Sequence, residues 1–123
     1  KGQYRGTPVE EILPVNLYPY DDRAEHPEGL YLTVDPASHP LLAGFPEKWP
    51  PMLGYNRLIA KENADVVVKY QEDPILALGT YGKGKTFVWA SDCAPHWLPE
   101  EFCEWEYNKI LWERILKWAV NKD

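Results

Sequence analysis

The pattern of apolar and polar positions divides the chain into a strand-rich body and one terminal helix. Four runs are filled with β-branched, aromatic and other apolar residues, and they predict strands over Tyr55 to Ala60, Val66 to Tyr70, Ile75 to Thr80 and Thr86 to Ala90. Over Glu100 to Val120 the apolar positions instead recur with a period near 3.6, which predicts a helix. The acidic residues at its start and the lysines near its end suit the helix dipole.

The first half of the chain carries weaker signals. Thr7-Pro8-Val9-Glu10 is a capping-box pattern with proline at the first helical position, and it predicts a short helix that ends before Pro14. Leu13 to Tyr18 alternates apolar and polar residues and predicts an edge strand, because proline disrupts a central one. Charge and turn residues then predict three further elements: a solvated loop over Asp21 to Glu28, a short strand over Leu30 to Val34 and one helical turn over His39 to Ala43.

Composition bounds the class of protein. The 123 residues fit one domain, and the net charge of −6 disfavours a nucleic-acid partner. No apolar run reaches the roughly 20 residues of a membrane span, so we expect no membrane contact. We also expect a cytoplasmic location, where thiols stay reduced. Cys93 and Cys103 are expected to be reduced thiols, since a disulfide framework usually needs more cysteines. Trp49, Trp97 and Trp105 are expected in the core in preference to stacking on a planar ligand.

One segment matches the letters of a nucleotide-binding P-loop. Gly79 to Thr86 satisfies the pattern, but phosphates are held at the start of a helix, and the strand-like residues Phe87 to Ala90 follow here. The glycines are also those of a tight hairpin, where positive φ is needed. We therefore predict a hairpin that binds no nucleotide.

A second group of chemically capable residues follows the last predicted strand. Asp92, Cys93 and His96 are candidate catalytic residues, because side chains just past the carboxyl end of a strand face the crevice of an open α/β sheet. Cysteine and histidine together can form a thiolate nucleophile, and histidine exchanges protons near neutral pH. The alternative is structural, with Asp92 capping a turn and His96 bonding the backbone. The other two histidines lie in distant loops, so no metal and no cofactor is expected.

Several segments, taken together, resemble a family of cytoplasmic glutamine amidotransferase-like proteins. The segments that carry the resemblance are Gly6 to Val15, Leu53 to Asn56, Tyr81 to Gly84, Ser91 to Trp97 and the tryptophan-rich final helix. The resemblance implies a fold similar to class I glutamine amidotransferases and trehalose-utilisation-type proteins: an α/β, flavodoxin-like sheet with flanking helices. It also implies that residues 1–123 are a single domain forming the C-terminal part of a chain about twice as long.

The resemblance implies the fold more directly than the activity. Class I enzymes place a cysteine on a strand-to-helix elbow and a His-x-Glu pair after a late strand. Here the cysteine elbow is absent, and Leu98 stands two residues after His96.

We therefore expect a ligand-binding or degenerate hydrolase-like domain for a small molecule; the alternative is a non-catalytic protein-interaction module. The predicted strands outnumber the helices that could cover them. Apolar surface should then drive self-association or packing with a missing N-terminal half.

Overall fold

Antiparallel strands and a long C-terminal helix form a mixed α/β fold in a computed structural model that describes residues 3–93 and 95–120. In chain order the elements are α1 Pro8–Ile12, β1 Val15–Leu17, β2 Arg23–Leu30, β3 Thr33–Val34, a 3-10 turn Pro40–Leu42, β4 Met52–Asn56, β5 Leu58–Ala60, β6 Asp65–Tyr70, β7 Asp73–Tyr81, β8 Gly84–Trp89, α2 Glu100–Cys103 and α3 Glu106–Val120. None of the helices in these ranges is long and apolar enough to cross a membrane.

The strands form three hydrogen-bonded groups: β3-β6-β7-β8, β1-β5 and β2-β4. Every pairing within the described ranges is antiparallel. Tight turns, which join β6 to β7 and β7 to β8, permit only antiparallel neighbours, because a parallel pair needs a crossover of a dozen residues or more. The presence of both strands and helices confirms the predicted α/β class. The antiparallel pairings do not confirm the flavodoxin-like arrangement.

Ala90, the residue after β8, forms hydrogen bonds with two of these groups of strands. The Ala90 amide donates to the Ile75 carbonyl at 2.8 Å, and the Ala90 carbonyl accepts from the Asn56 amide at 2.6 Å. Further along, the Leu53 amide donates to the Trp97 carbonyl at 2.7 Å. The segment after β8 is thereby held along β4, and this fixes the position of Asp92 and His96.

The glycine-rich segment is a hairpin, as predicted. Tyr81 pairs with Gly84 across a two-residue loop, and Gly82 has a φ of +59°. A positive φ at the first loop position is what hairpin turns of the II′ kind require, and glycine adopts it without strain. The Lys85 ammonium donates to the Trp118 carbonyl at 3.2 Å and lies over the indole ring, so it holds the end of α3.

The prediction of a solvated loop over Asp21 to Glu28 is wrong for most of that segment, because β2 begins at Arg23. Arg23 pairs with Asn56 and Glu25 pairs with Gly54 on β4. Exposed charged residues alternate along β2 with half-buried small or aromatic ones, a strand pattern hidden by the charges.

The predicted C-terminal helix is present but divided. Helix α2 ends at Cys103, and α3 begins at Glu106. Between them, the Trp105 ring packs 5.1 Å from the Trp49 ring in an aromatic cluster, and the Asn108 side chain donates to the Cys103 carbonyl. Core packing of one tryptophan thus overrides the helical periodicity.

The short first helix is present and ends before Pro14, as predicted, but its capping differs. Thr7 makes no side-chain cap. Instead, the Glu10 carboxylate accepts from the amides of Gly6 at 2.8 Å and Leu17 at 2.6 Å, which lowers the Glu10 pKa. The Glu10 side chain therefore ties the helix to β1.

The core contains two of the three tryptophans expected there. Trp49 and Trp97 are buried, and Trp105 is partly buried against the core. Leu111 and Ile115 of α3 are fully buried, and α3 packs on β8. Cys93 and Cys103 are free thiols, as expected.

Candidate functional site

Two of the three predicted catalytic residues form a hydrogen-bonded pair. The His96 Nδ1 atom lies 2.9 Å from the Asp92 Oδ2 atom, and the same oxygen accepts from the Trp97 amide at 3.0 Å. The His96 side chain is 69% exposed. Asp92 thus fixes the ring through Nδ1, which leaves Nε2 as the nitrogen available for proton exchange with solvent or a ligand.

A buried tryptophan holds this pair against the β2-β4 sheet. Trp97 lies directly on Gly54, where a built Cβ would come within 2.4 Å of the indole Nε1. The indole also donates to the Glu25 carboxylate at 3.3 Å, and the Ser91 hydroxyl donates to the Gly54 carbonyl at 2.7 Å. The absence of a side chain at residue 54 is therefore what allows the Asp92 turn to sit close to β4.

Cys93 does not join the pair. Cys93 is exposed, and within the part of the chain that the structure describes no hydrogen bond or ion pair connects it to His96. Leu98, at the position where class I amidotransferases carry a glutamate, is buried in the core. In the same described residues, no group of three histidine, cysteine or acidic side chains could hold a metal ion.

A separate open cavity of about 660 Å³ lies between the N-terminal segment and the strands β1, β4, β5 and β8. Its apolar part includes Leu17, Leu58 and Val88, and its aromatic part includes Tyr18, Tyr20 and Trp89. The volume lies within the usual range for small-molecule sites. The cavity is linked to the first site, because the Trp89 indole donates to the Asp92 carbonyl at 2.8 Å.

Paired charges form the polar part of this cavity. The Arg23 guanidinium donates to both carboxylate oxygens of Asp21, at 3.0 Å to Oδ1 and 2.6 Å to Oδ2, and thereby lowers the Asp21 pKa. Buried Asp22 accepts from the Asn56 side-chain amide at 2.8 Å. Three of the charged side chains in the cavity wall, Asp21, Asp22 and Arg23, are thus already hydrogen-bonded to protein partners.

A third polar group connects β4 to β6 and β7. The Tyr55 hydroxyl donates to Asp73 Oδ2 at 2.5 Å, and the Arg57 guanidinium donates to the same oxygen at 3.3 Å. Burial and the Asp73 hydrogen bond raise the Tyr55 pKa. The His26 ring stacks on Tyr55 at 6.2 Å and meets Tyr70 edge-on at 5.4 Å. This cluster joins β2, β4, β6 and β7 and is structural.

Sequence reasoning singled out Asp92 and His96, which the structure brings together, and passed over Glu25 and the residues that line the cavity. The signal was present in Tyr18-Pro19-Tyr20-Asp21-Asp22-Arg23, where aromatic residues stand next to charges of both signs. That composition suits a ligand site as well as a loop, and the loop interpretation concealed it.

Comparison with known proteins assigns the family. The family described as "Putative glutamine amidotransferase" matches residues 1–121. The chain is also similar to two solved structures from Salmonella typhimurium. Cytoplasmic Protein STM1381, from strain LT2, is 41% identical with a TM-score of 0.92, and the match covers 98% of this chain and 49% of that one. Cytoplasmic Protein STM3548 is 40% identical with a TM-score of 0.88, covering 94% and 47%.

This chain belongs to the glutamine amidotransferase-like family. It spans about half the length of the two solved structures that it matches. No curated protein matches it.

Proposed function

We propose that the chain is a small-molecule-binding domain of this family, with the 660 Å³ cavity as its ligand site. The cavity carries the proposal, because it combines an apolar part with a few oriented polar groups, as ligand sites do. Asp92 and His96 are proposed as a proton-exchange pair of hydrolase-like character beside this site. We further propose a cytoplasmic location, as the names of the two similar Salmonella proteins state for them.

The proposal excludes complete amidotransferase chemistry in this chain alone. Such chemistry needs a cysteine nucleophile activated by a histidine, and Cys93 makes no described contact with His96. The flavodoxin-like sheet and the cysteine elbow are proposed to belong to the remaining length of full-length relatives, with residues 1–123 as the C-terminal part. Incubating the chain with L-glutamine should release no ammonia; release abolished by Cys93→Ala would contradict this.

Binding is tested with a chemically diverse library of neutral, anionic, cationic and aromatic small molecules. Saturable rises in melting temperature should occur for at least one class. Tyr20→Ala should weaken that binding, whereas Tyr31→Ala should not. Tyr31 is a matched control for Tyr20, because the two side chains are 57% and 58% exposed and, of the two, only Tyr20 lines the cavity. Failure of the entire library, or equal effects of both variants, would contradict the proposal.

The Asp92 and His96 pair calls for a separate test, because Asp92 also holds the backbone of Trp97. Asp92→Ala removes the acceptor of two hydrogen bonds and should cost about 1–2 kcal/mol of unfolding free energy. His96→Ala removes only one exposed hydrogen bond and should cost less than about 1 kcal/mol. Urea unfolding measures both. Equal costs would show that Asp92 acts through His96 alone and does not anchor Trp97.

A protein-interaction module is the second candidate function. The outer face of α3 exposes Leu116 at 57% and Val120 at 77%, one turn apart. Such a stripe favours contact with a partner, which we propose is a second copy or the remaining half of a full-length relative. Sedimentation of the chain should then show a concentration-dependent dimer that Leu116→Lys abolishes. A monomer at every concentration would contradict contact with a second copy.

A further inference from the structure

A second open cavity lies between α3 and the 3-10 turn, on a part of the surface that the proposed function does not use. Its volume is about 470 Å³, within the usual range for small-molecule sites, and it shares no lining residue with the 660 Å³ cavity. The residues that line it are His39, Pro40, Leu41, Arg114, Lys117 and Trp118. What this cavity binds can therefore be argued independently of the first one.

The charge of this cavity is opposite to that of the chain. Acidic residues outnumber basic ones by 19 to 13, yet among the described residues that line the cavity Arg114 and Lys117 are cationic and none is acidic. Glu113, the neighbour of Arg114, lies with its Oε1 atom 3.9 Å from the Lys109 ammonium instead. Within residues 3–93 and 95–120, Lys117 forms no hydrogen bond or ion pair. An anion in this cavity would therefore gain the attraction of Lys117 without displacing a protein partner.

Arg114 is held in place and keeps one edge of its guanidinium without a protein partner. Its Nη1 atom donates to the carbonyls of Leu41 at 3.0 Å and Ala43 at 2.6 Å. Its Nε and Nη2 atoms form no hydrogen bond with the described residues. This Nε–Nη2 edge is the one with which Arg23 binds both carboxylate oxygens of Asp21. Arg114 can hold a carboxylate or phosphate group with the same fork.

Helical spacing brings the two cations and one aromatic ring to the same side of α3. Lys117 and Trp118 follow Arg114 by three and four residues, and side chains at these spacings have Cβ atoms about 5–6 Å apart. Both cations can therefore contact one compact anionic group. This spacing suits a single carboxylate or phosphate group and not a polyphosphate chain.

The other lining residues provide an apolar surface beside the cations. Pro40 and Leu41 contribute aliphatic groups, and Trp118 contributes part of its indole ring. The Lys85 ammonium lies over one face of that ring, 5.2 Å from its centre, while the partly buried indole still lines the cavity. A flat apolar group can pack against this surface when an attached anionic group binds the cations.

His39 adds a hydrogen-bond donor to the same cavity. Its Nδ1 atom accepts from the Leu41 amide at 3.0 Å, so the neutral ring carries its proton on Nε2, which can donate to an anion. We propose that the cavity binds a small aromatic acid, a molecule in which one carboxylate or phosphate group is attached to a flat apolar ring.

The test titrates ¹⁵N-labelled chain with benzoate and phenyl phosphate, and in parallel with phenol, benzylamine, acetate and inorganic phosphate. At least one of the two aromatic anions should give saturable shifts of the Trp118 indole and of the α3 amides around Lys117. The affinity should fall as salt is added. Lys117→Glu should weaken the binding by about threefold to tenfold, because it replaces an exposed attraction with a repulsion.

Lys109→Glu is the matched control for Lys117→Glu. It makes the same change of charge on the same helix, at a side chain that is 84% exposed and does not line the cavity. The two positions are about 12 Å apart along the helix axis, which exceeds the screening length of about 8 Å at physiological salt. Lys109→Glu should therefore leave the affinity unchanged.

Each contrary result overturns a distinct part of the inference. Absence of saturable shifts at Trp118 with both aromatic anions would overturn it as a whole. Equal affinity for phenol or benzylamine would contradict the anionic part, and equal affinity for acetate or inorganic phosphate would contradict the aromatic part. Equal weakening by Lys109→Glu would reveal a general effect of charge in place of a site. Tyr20→Ala should not alter the binding, and weakening in that variant would place the ligand in the 660 Å³ cavity instead.

Discussion

Gly54→Ala is the sharpest perturbation of the Asp92 turn. The new methyl would lie 2.4–2.7 Å from three atoms of the Trp97 indole, well inside van der Waals contact. Because Trp97 is 6% exposed and tied to β4 through the Leu53 amide, the indole cannot move aside without breaking core packing. Overpacking of this kind costs about 1–3 kcal/mol, and we expect the upper half of that range.

The assay is urea unfolding followed by far-UV circular dichroism, with a double-mutant cycle. Trp97→Ala alone should cost about 3–5 kcal/mol. The double variant should cost little more, because the methyl then meets no ring. Gly84→Ala is the matched control, since its Cβ would meet only the Tyr81 carbonyl at 3.4 Å. A cost below about 0.5 kcal/mol for Gly54→Ala, or the same cost with and without Trp97, would refute the reasoning.

Three further predictions concern contacts elsewhere in the fold. Magnesium ATP should leave the melting temperature unchanged, whereas Lys85→Met should lower it by freeing the Trp118 carbonyl at the end of α3; nucleotide stabilisation lost in Lys85→Met would contradict this. Arg114→Met should cost about 2 kcal/mol in urea unfolding, because the guanidinium donates to two carbonyls of the 3-10 turn and its following residue; Arg114→Lys should recover part of this, and no loss would refute it. Stability should fall as pH rises above 10, because burial and Asp73 raise the Tyr55 pKa above its ordinary value of 10.0, so the unfolded chain loses that proton first. Tyr55→Phe should make this decline shallower in urea titrations between pH 8 and 11, and an unchanged slope would contradict the assignment.

Elements that depend on local chemistry were predictable from the sequence. The hairpin at Gly82 follows from glycine and its apolar flanks, and α1 follows from proline at its first position. Elements that depend on tertiary contact were not. Strand β2 exists because Arg23 and Glu25 pair with β4, and the division between α2 and α3 exists because Trp105 enters the aromatic cluster. Neither partner is near in sequence, so periodicity alone could not indicate them.

The direction of the strands was the other feature that the sequence could not supply. Runs of buried apolar residues are typical of parallel sheets, but they also occur in an antiparallel sheet with both faces covered. Strand β7, with five consecutive buried residues, is of the second kind, since it pairs antiparallel with both neighbours. The flavodoxin-like expectation drew on the resemblance, and within the described residues no parallel pair carries it.

The prediction of Asp92 and His96 therefore rested on a premise that the described sheet does not meet. It assumed a crevice at the carboxyl ends of parallel strands, whereas β8 is antiparallel to β7. The two side chains still meet, because their contact depends only on the turn: one Asp92 oxygen accepts from both the Trp97 amide and the His96 ring. A turn of this kind orients the imidazole whatever the direction of the strand before it. Strand direction instead decides which side chains surround the pair. Among the described residues, none supplies the pair with a nucleophile. The proposed ligand cavity is linked to this pair, because the Trp89 indole donates to the Asp92 carbonyl, and it is therefore the first place to test this chain for ligand binding.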